Sequence, residues 1–118
     1  MADTELAIVV DLRKRIKWEA PRVQLVAVPN AAKRTQWAAT QAKREGMQAG
    51  FPDLVALAPG AKMAFLEMKT PKGRVSENQA EWLDRLHAMG FPCGVFRSAD
   101  AALDFLRDHD FPFMSRAS

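Results

Sequence analysis

After Thr4, apolar residues recur at helical spacing: Leu6, Val9, Val10, Leu12 and Ile16. This pattern predicts a helix to about Lys17, with Thr4 as its cap and Arg13, Lys14, Arg15 and Lys17 crowding its last turn. Pro21 stops it. Val23, Leu25, Val26 and Val28 then favour a strand over Arg22 to Val28, ended by Pro29 and Asn30. Ala31 to Gln36 reads as a turn carrying Lys33 and Arg34. Trp37 to Glu45 reads as a short helix closed by Gly46, with little apolar face beyond Trp37 and its alanines. Leu54 to Ala58 and Lys62 to Lys69 are strands around the Pro59-Gly60 turn, and so short a connection makes a hairpin. Ser76-Glu77-Asn78-Gln79 has the capping-box pattern and opens a helix to about Met89, with Leu83 and Leu86 inward. Cys93 to Arg97 is a short strand, and Ser98 caps a last helix through about Arg107. Residues 1–110 are expected to form one domain, with Phe111 to Ser118 as a tail. The order α-β-α-β-β-α-β-α predicts an α/β fold: a mixed sheet of about four strands flanked by helices, with a hairpin followed by a strand reached through a helical crossover.

Composition narrows the class. The 118 residues are 48% hydrophobic and 26% charged, which suits one globular domain and excludes disorder or coiled coil as the main state. Cys93 is the only cysteine, so no intrachain disulfide can form, and thiolate metal binding is disfavoured. No apolar run approaches the roughly 20 residues of a membrane span. The polar, acidic start M-A-D-T-E is not a signal peptide, so an intracellular, cytoplasmic protein is expected. The net charge of +3 is uneven: nine Lys/Arg against five Asp/Glu up to Gly50, then eight against nine. A basic half is either a solvated face, with helix-dipole compensation in its first helix, or a surface for a polyanion such as nucleic acid.

The chemistry concentrates between Gly50 and Gln79. Alternation along the second hairpin strand puts Met63, Phe65, Glu67 and Lys69 on one face and Ala64, Leu66 and Met68 on the other. Both faces are largely apolar, so this strand is expected to be central. Glu67 then sits at the edge of a core, where a lone carboxylate is costly. A structural answer pairs it with Lys69 or another base, and E-x-K alone is a common pattern. Asp53 alone is ordinary turn chemistry after Pro52, and Gln79 alone is explained by the capping box. Together they mean more, because a hairpin brings Asp53 and Glu67 to the same sheet end. Two converging carboxylates with a backbone carbonyl make a hard oxygen site for Mg²⁺ or Mn²⁺. A cation so held activates water and neutralises charge on a phosphoryl group. Gln79, on the helix face of Leu83 and Leu86, points back at the sheet.

The segments Gly50-Phe51-Pro52-Asp53, Phe65-Leu66-Glu67-Met68-Lys69, Thr70-Pro71-Lys72-Gly73-Arg74 and Ser76-Glu77-Asn78-Gln79, in this order and spacing, resemble the PD-(D/E)XK nuclease superfamily. More narrowly they resemble its VRR-Nuc branch, the virus-type replication-repair nucleases. Val28-Pro29-Asn30 and the Gly90 to Ser98 segment share the likeness, which spans about Thr4 to Leu106. The resemblance implies a restriction-endonuclease-like core and a metal-dependent DNA endonuclease of viral or bacterial origin. Asp53 and Glu67 would be metal ligands, the Met68 carbonyl a third, Lys69 the catalytic lysine and Gln79 a polar helper. The family also places a glutamate of the first helix near the metal. Glu5 matches by its place at the helix start, and Glu19 is its rival. The chain departs from the family pattern in having no glutamine in this helix.

Stand-alone proteins of this branch resemble resolvases of branched DNA. A four-way junction is near two-fold symmetric and is most simply cut by a homodimer. Lys33, Arg34, Lys43, Arg44, Lys72 and Arg74 are the expected phosphate contacts, and Trp37, Trp82 and Phe111-Pro112-Phe113 are candidate dimer contacts, with core packing favoured for Trp82. The alternatives are a flap or single-strand nuclease with the same site, or a non-catalytic nucleic-acid-binding protein with a degenerate one. Retention of Asp53, Glu67, Lys69 and Gln79 together argues against the last.

Overall fold

The computed structural model describes residues 4–29 and 35–115. The chain order is α1 (Glu5–Glu19), β1 (Gln24–Ala27), α2 (Gln36–Arg44), β2 (Leu54–Ala58), β3 (Lys62–Met68), α3 (Glu77–Ala88), β4 (Cys93–Phe96) and α4 (Ala99–Asp108). This is the order read from the sequence. The strands form one sheet in the order β1-β2-β3-β4, antiparallel up to β3 and parallel between β3 and β4. The parallel step requires the crossover that α3 supplies. β3 is therefore central, as its two apolar faces demand.

The two faces of β3 feed two cores. Ala64, Leu66 and Met68 join Leu12 and Ile16 of α1 and Leu103 and Leu106 of α4 in the larger one. Phe65, Leu86 and Cys93 centre the smaller one, where Phe51 and Trp82 meet edge to face with ring centroids 5.1 Å apart. Trp82 is thus a packing residue. Burying one such Leu or Phe side chain is worth about 1.5–3 kcal/mol, so the sheet is held firmly from both sides.

The N-caps of α1, α3 and α4 are those the sequence predicts, whereas α2 starts one residue earlier than expected, at Gln36, with Thr35 as its cap. Thr4 Oγ1 accepts from the Ala7 N–H at 3.0 Å, and Ser98 Oγ from that of Ala101 at 3.1 Å. α1 extends two residues beyond Lys17, and not all of its apolar residues pack. Leu6 is 72% exposed and Val10 also faces solvent, because the side of α1 that packs on the core is the buried Ile8-Leu12-Ile16 stripe with Val9 beside it. The α1–α4 contact is framed by Arg15, which pairs with Glu19 and Asp100, and by Arg107, which also pairs with Glu19.

The segment expected to be a tail begins inside the fold. Phe111 is buried in the larger core, the Arg107 guanidinium lies over the Phe113 ring at 4.4 Å, and the Met114 N–H donates to the Glu19 carbonyl at 2.7 Å. α2 buries only Ala42, in keeping with its thin apolar face, and Trp37 is exposed. Among the described residues no helix is long and apolar enough to cross a membrane.

Candidate functional site

The β2–β3 register pairs Leu54 with Leu66, and one step further along Asp53 faces Glu67. Asp53 is fixed on both sides. Its carbonyl accepts from the Val28 N–H at 2.7 Å, beyond the end of β1, and its carboxylate Oδ2 accepts from the Met68 N–H at 3.1 Å. Pro52, before it, is fully buried and cannot donate to the ladder. The Asp53 side chain thus takes up the N–H that β3 still offers where regular pairing ends.

Glu67 is 1% exposed, the only charged residue among the described ones that is buried. Its Oε2 accepts from the Gln79 amide at 3.1 Å, while its Oε1 has no hydrogen-bond partner. Burial first, then the negative charge of the Asp53 carboxylate, push the Glu67 carboxyl up to about 8. Glu5 adds to this, and only the Lys69 ammonium opposes it. Lys69 follows directly on β3, half-buried, with its N–H donating to the Phe96 carbonyl of β4 at 3.0 Å.

Gln79 holds two positions at once. At the third residue of α3 its N–H donates to Ser76 Oγ at 3.2 Å and its Oε1 accepts from the Ser76 N–H at 2.9 Å, completing the capping box. The same side chain's Nε2 reaches Glu67. Gly50 sets the approach of α3: a Cβ there would lie 2.6 Å from the Asn78 carbonyl carbon and 2.7 Å from the Gln79 nitrogen. Only glycine lets the chain before Asp53 pass so close under the helix start.

Glu5 and Asp53 line one cleft of about 270 Å³ with Leu6, Val9, Ala27 and Val28. Glu19 is at the far end of α1, held ionised by its hydrogen bond to Arg15 and then by that to Arg107. Of the two glutamates, Glu5 is the one at this end of the sheet. Among the described residues no three His, Cys, Asp or Glu side chains converge as a ready-made metal cage. The chemistry of the donors nevertheless fits a hard divalent cation: two facing carboxylates, one with a buried oxygen lacking any hydrogen bond, and a third carboxylate on the adjoining cleft.

Lys43 and Arg44 end α2 and are exposed. Lys72 and Arg74 are exposed on the loop after Lys69. Lys33 and Arg34 lie outside the described residues. Sequence reasoning missed Arg97. Its Nη1 donates to the carbonyls of Thr70 and Gly73, each at 2.7 Å, so it grips the loop carrying Lys72 from within. The one available signal is its place at the end of the strand that runs parallel to β3.

No curated protein matches the chain. It is similar in structure to a solved VRR_NUC domain, with 19% identity, a TM-score of 0.64, and coverage of 91% of this chain and 97% of the other. It is also similar to a solved VRR_NUC domain protein, with 20% identity, a TM-score of 0.70, and coverage of 93% and 90%. These likenesses establish the fold. The family model of the VRR-NUC domain matches residues 10–100, a stretch that holds Asp53, Glu67, Lys69 and Gln79, and the chain therefore belongs to the VRR-NUC family and is a nuclease.

Proposed function

We propose that the protein is a divalent-metal-dependent endonuclease that cuts branched DNA at the site formed by Asp53, Glu67, Lys69 and Gln79. One observation carries the reading: Glu67 is buried against Asp53 with an oxygen that nothing in the protein satisfies. A structural carboxylate would be expected to have its base; Lys69 makes no ion pair with it among the described residues. A pair of carboxylates that repel each other in a dry setting is a ligand pair awaiting a cation.

Asp53, Glu67 and the Met68 carbonyl are the ligands in this reading, with Glu5 completing the set from across the cleft. Bound there, Mg²⁺ or Mn²⁺ would supply Lewis-acid polarisation of the scissile phosphate. Lys69 holds the attacking water or a phosphate oxygen by its positive charge. Gln79 keeps Glu67 aimed at the metal. Lys43, Arg44, Lys72 and Arg74, with Lys33 and Arg34, attract the phosphate backbone without reading bases, so selectivity rests on the shape of the DNA. The preferred substrate is a four-way junction, cut by a two-fold homodimer that delivers one site to each matching strand. Of the residues named for that contact, Trp37 on α2 is the large exposed one.

The test is cleavage of a labelled four-way junction, a flap and a plain duplex with Mg²⁺, Mn²⁺ or EDTA. Paired symmetric nicks at the junction by a dimeric protein are expected, with activity lost in EDTA and in Glu67→Ala and Lys69→Ala. Cutting in EDTA, or full activity of both variants, would refute the mechanism. Cutting confined to flaps by a monomer would replace the junction with the flap as substrate.

A further inference from the structure

The cleft shared by Glu5 and Asp53 is one end of a longer seam between α1 and the edge strand β1. A second cleft, of about 250 Å³, is lined by Arg13, Ile16 and Lys17 from α1 and by Gln24 and Leu25 from β1. The two are neighbours. Val9 of the first is one helical turn from Arg13 of the second, and Ala27 of the first is two residues from Leu25 of the second. The charge changes along the way: carboxylates line the end at Asp53, whereas the far cleft has cations and no carboxylate in its lining.

These cations are not used up within the fold. Arg13 Nη1 donates to the Leu25 carbonyl at 3.0 Å, which fixes the guanidinium over the seam and leaves its charge uncompensated. Neither Arg13, Lys14 nor Lys17 forms an ion pair among the described residues, although Arg15 on the same helix forms two. Helix-dipole compensation accounts for a cation in the last turn. It does not account for Arg13 being laid across to β1. From Glu5 to Lys17 the helix rises about 18 Å, the reach of a few nucleotides of an extended strand.

We propose that the α1–β1 seam is the track for an unpaired DNA strand, running from the phosphate at Asp53 and Glu67 to phosphates held by Arg13 and Lys17. The proposal rests on the reading of Asp53 and Glu67 as the cleavage site. The two clefts, of about 250 and 270 Å³, are each too small to take a duplex, whereas a single strand can lie along them. Leu6, which lines the first cleft and is 72% exposed, offers apolar surface for a base without regard to sequence. A flap, in which one strand leaves its duplex, presents such a strand directly, whereas a fully paired four-way junction does so only where base pairs open at the branch point.

Binding is measured in EDTA, where metal-dependent cutting is blocked, by fluorescence anisotropy with a labelled single-stranded oligonucleotide and a blunt duplex of equal length. The variants are Lys17→Gln, the double variant Arg13→Gln/Lys17→Gln, and Arg85→Gln on α3 as a surface-charge control. The double variant is expected to bind the single strand about tenfold more weakly, with the slope of log affinity on log salt reduced by about 0.7 per charge removed. Lys17→Gln, which removes no hydrogen bond or ion pair among the described residues, is expected to show half of that slope change. Duplex binding and the Arg85→Gln control should stay unchanged. Unaltered single-strand affinity, or equal losses for single strand and duplex, would overturn the proposal. If the wild type binds as expected yet cuts no DNA with any metal, the cleavage reading fails while the track stands.

Discussion

The Gln79 amide donates to Glu67 Oε2 at 3.1 Å while the same side chain closes the capping box on Ser76. The start of α3 is therefore bolted to the middle of the sheet through one glutamine, and a local capping device orients a buried carboxylate. Replacing Gln79 by Ala removes the amide and half of the box. Folding stability should fall by about 1–2 kcal/mol, seen as a lower urea midpoint at unchanged slope. DNA cleavage should fall at least about tenfold, because Glu67 loses its orientation. Gln79→Glu keeps the capping oxygen but places a third carboxylate beside Asp53 and Glu67. Cleavage by it at or above the Ala level would count against the orienting role.

Glu67 also makes stability depend on pH. Its carboxyl titrates near 8 in the folded chain against 4.5 when free. Between those values the native state holds a proton that the unfolded chain has released, so metal-free stability falls as pH rises. The contribution is complete below about pH 4.5 and gone above about pH 8. Thermal melts in EDTA should show this decline, and Glu67→Gln should flatten it and be the more stable form at pH 9. Added Mg²⁺ or Mn²⁺ should raise the melting temperature of the wild type more at pH 8 than at pH 6, since at low pH a proton must be displaced. An equal shift in Glu67→Gln would place the metal elsewhere.

Much of this site is legible in the sequence because its determinants are local. The Pro59-Gly60 turn fixes the hairpin, the hairpin fixes Asp53 opposite Glu67, and four residues specify the capping box. Exposure of Leu6 and Val10 is not legible, because α1 carries apolar residues on more than one side and periodicity alone does not choose between them. The fate of Phe111 depends on Asp110, whose φ of 61° turns the chain back over the core. The role of Arg97 depends on the parallel register that sets Phe96 beside Met68, a contact made only after α3 has crossed the sheet.

Gly50 separates two costs that usually come together. Gly46, Gly50 and Gly60 all have positive φ, but a Cβ at Gly46 or Gly60 meets nothing within 4 Å, whereas at Gly50 it would strike the Asn78 and Gln79 backbone. Gly46→Ala and Gly60→Ala should each cost about 1–2 kcal/mol, the price of the left-handed backbone alone. Gly50→Ala should cost about 1–3 kcal/mol more, as overpacking does. It should also lower cleavage per folded molecule, since α3 must back away and take Gln79 with it. Equal destabilisation at all three glycines would show that the close approach has no energetic weight.

Arg97 should act on the DNA without touching it. Its guanidinium gathers the Thr70 and Gly73 carbonyls, and the Gly73 N–H donates to the Thr70 carbonyl at 3.0 Å, so Pro71 and Lys72 form the tip of a tight turn. Releasing the turn in Arg97→Ala would let Lys72 and Arg74 sample many positions. A freed loop must be ordered again on binding, at about 1–2 kcal/mol for each backbone residue fixed. The expected result is a KM for DNA raised about tenfold or more with kcat changed less than about threefold, because Asp53, Glu67 and Lys69 stay on the sheet. Arg97→Lys keeps the charge but cannot span both carbonyls as a planar fork does, so it should recover only part of the loss. A fall in kcat at unchanged KM would mean that Arg97 serves the reacting centre itself, and full rescue by lysine would mean that its charge, not its grip on the loop, is what matters.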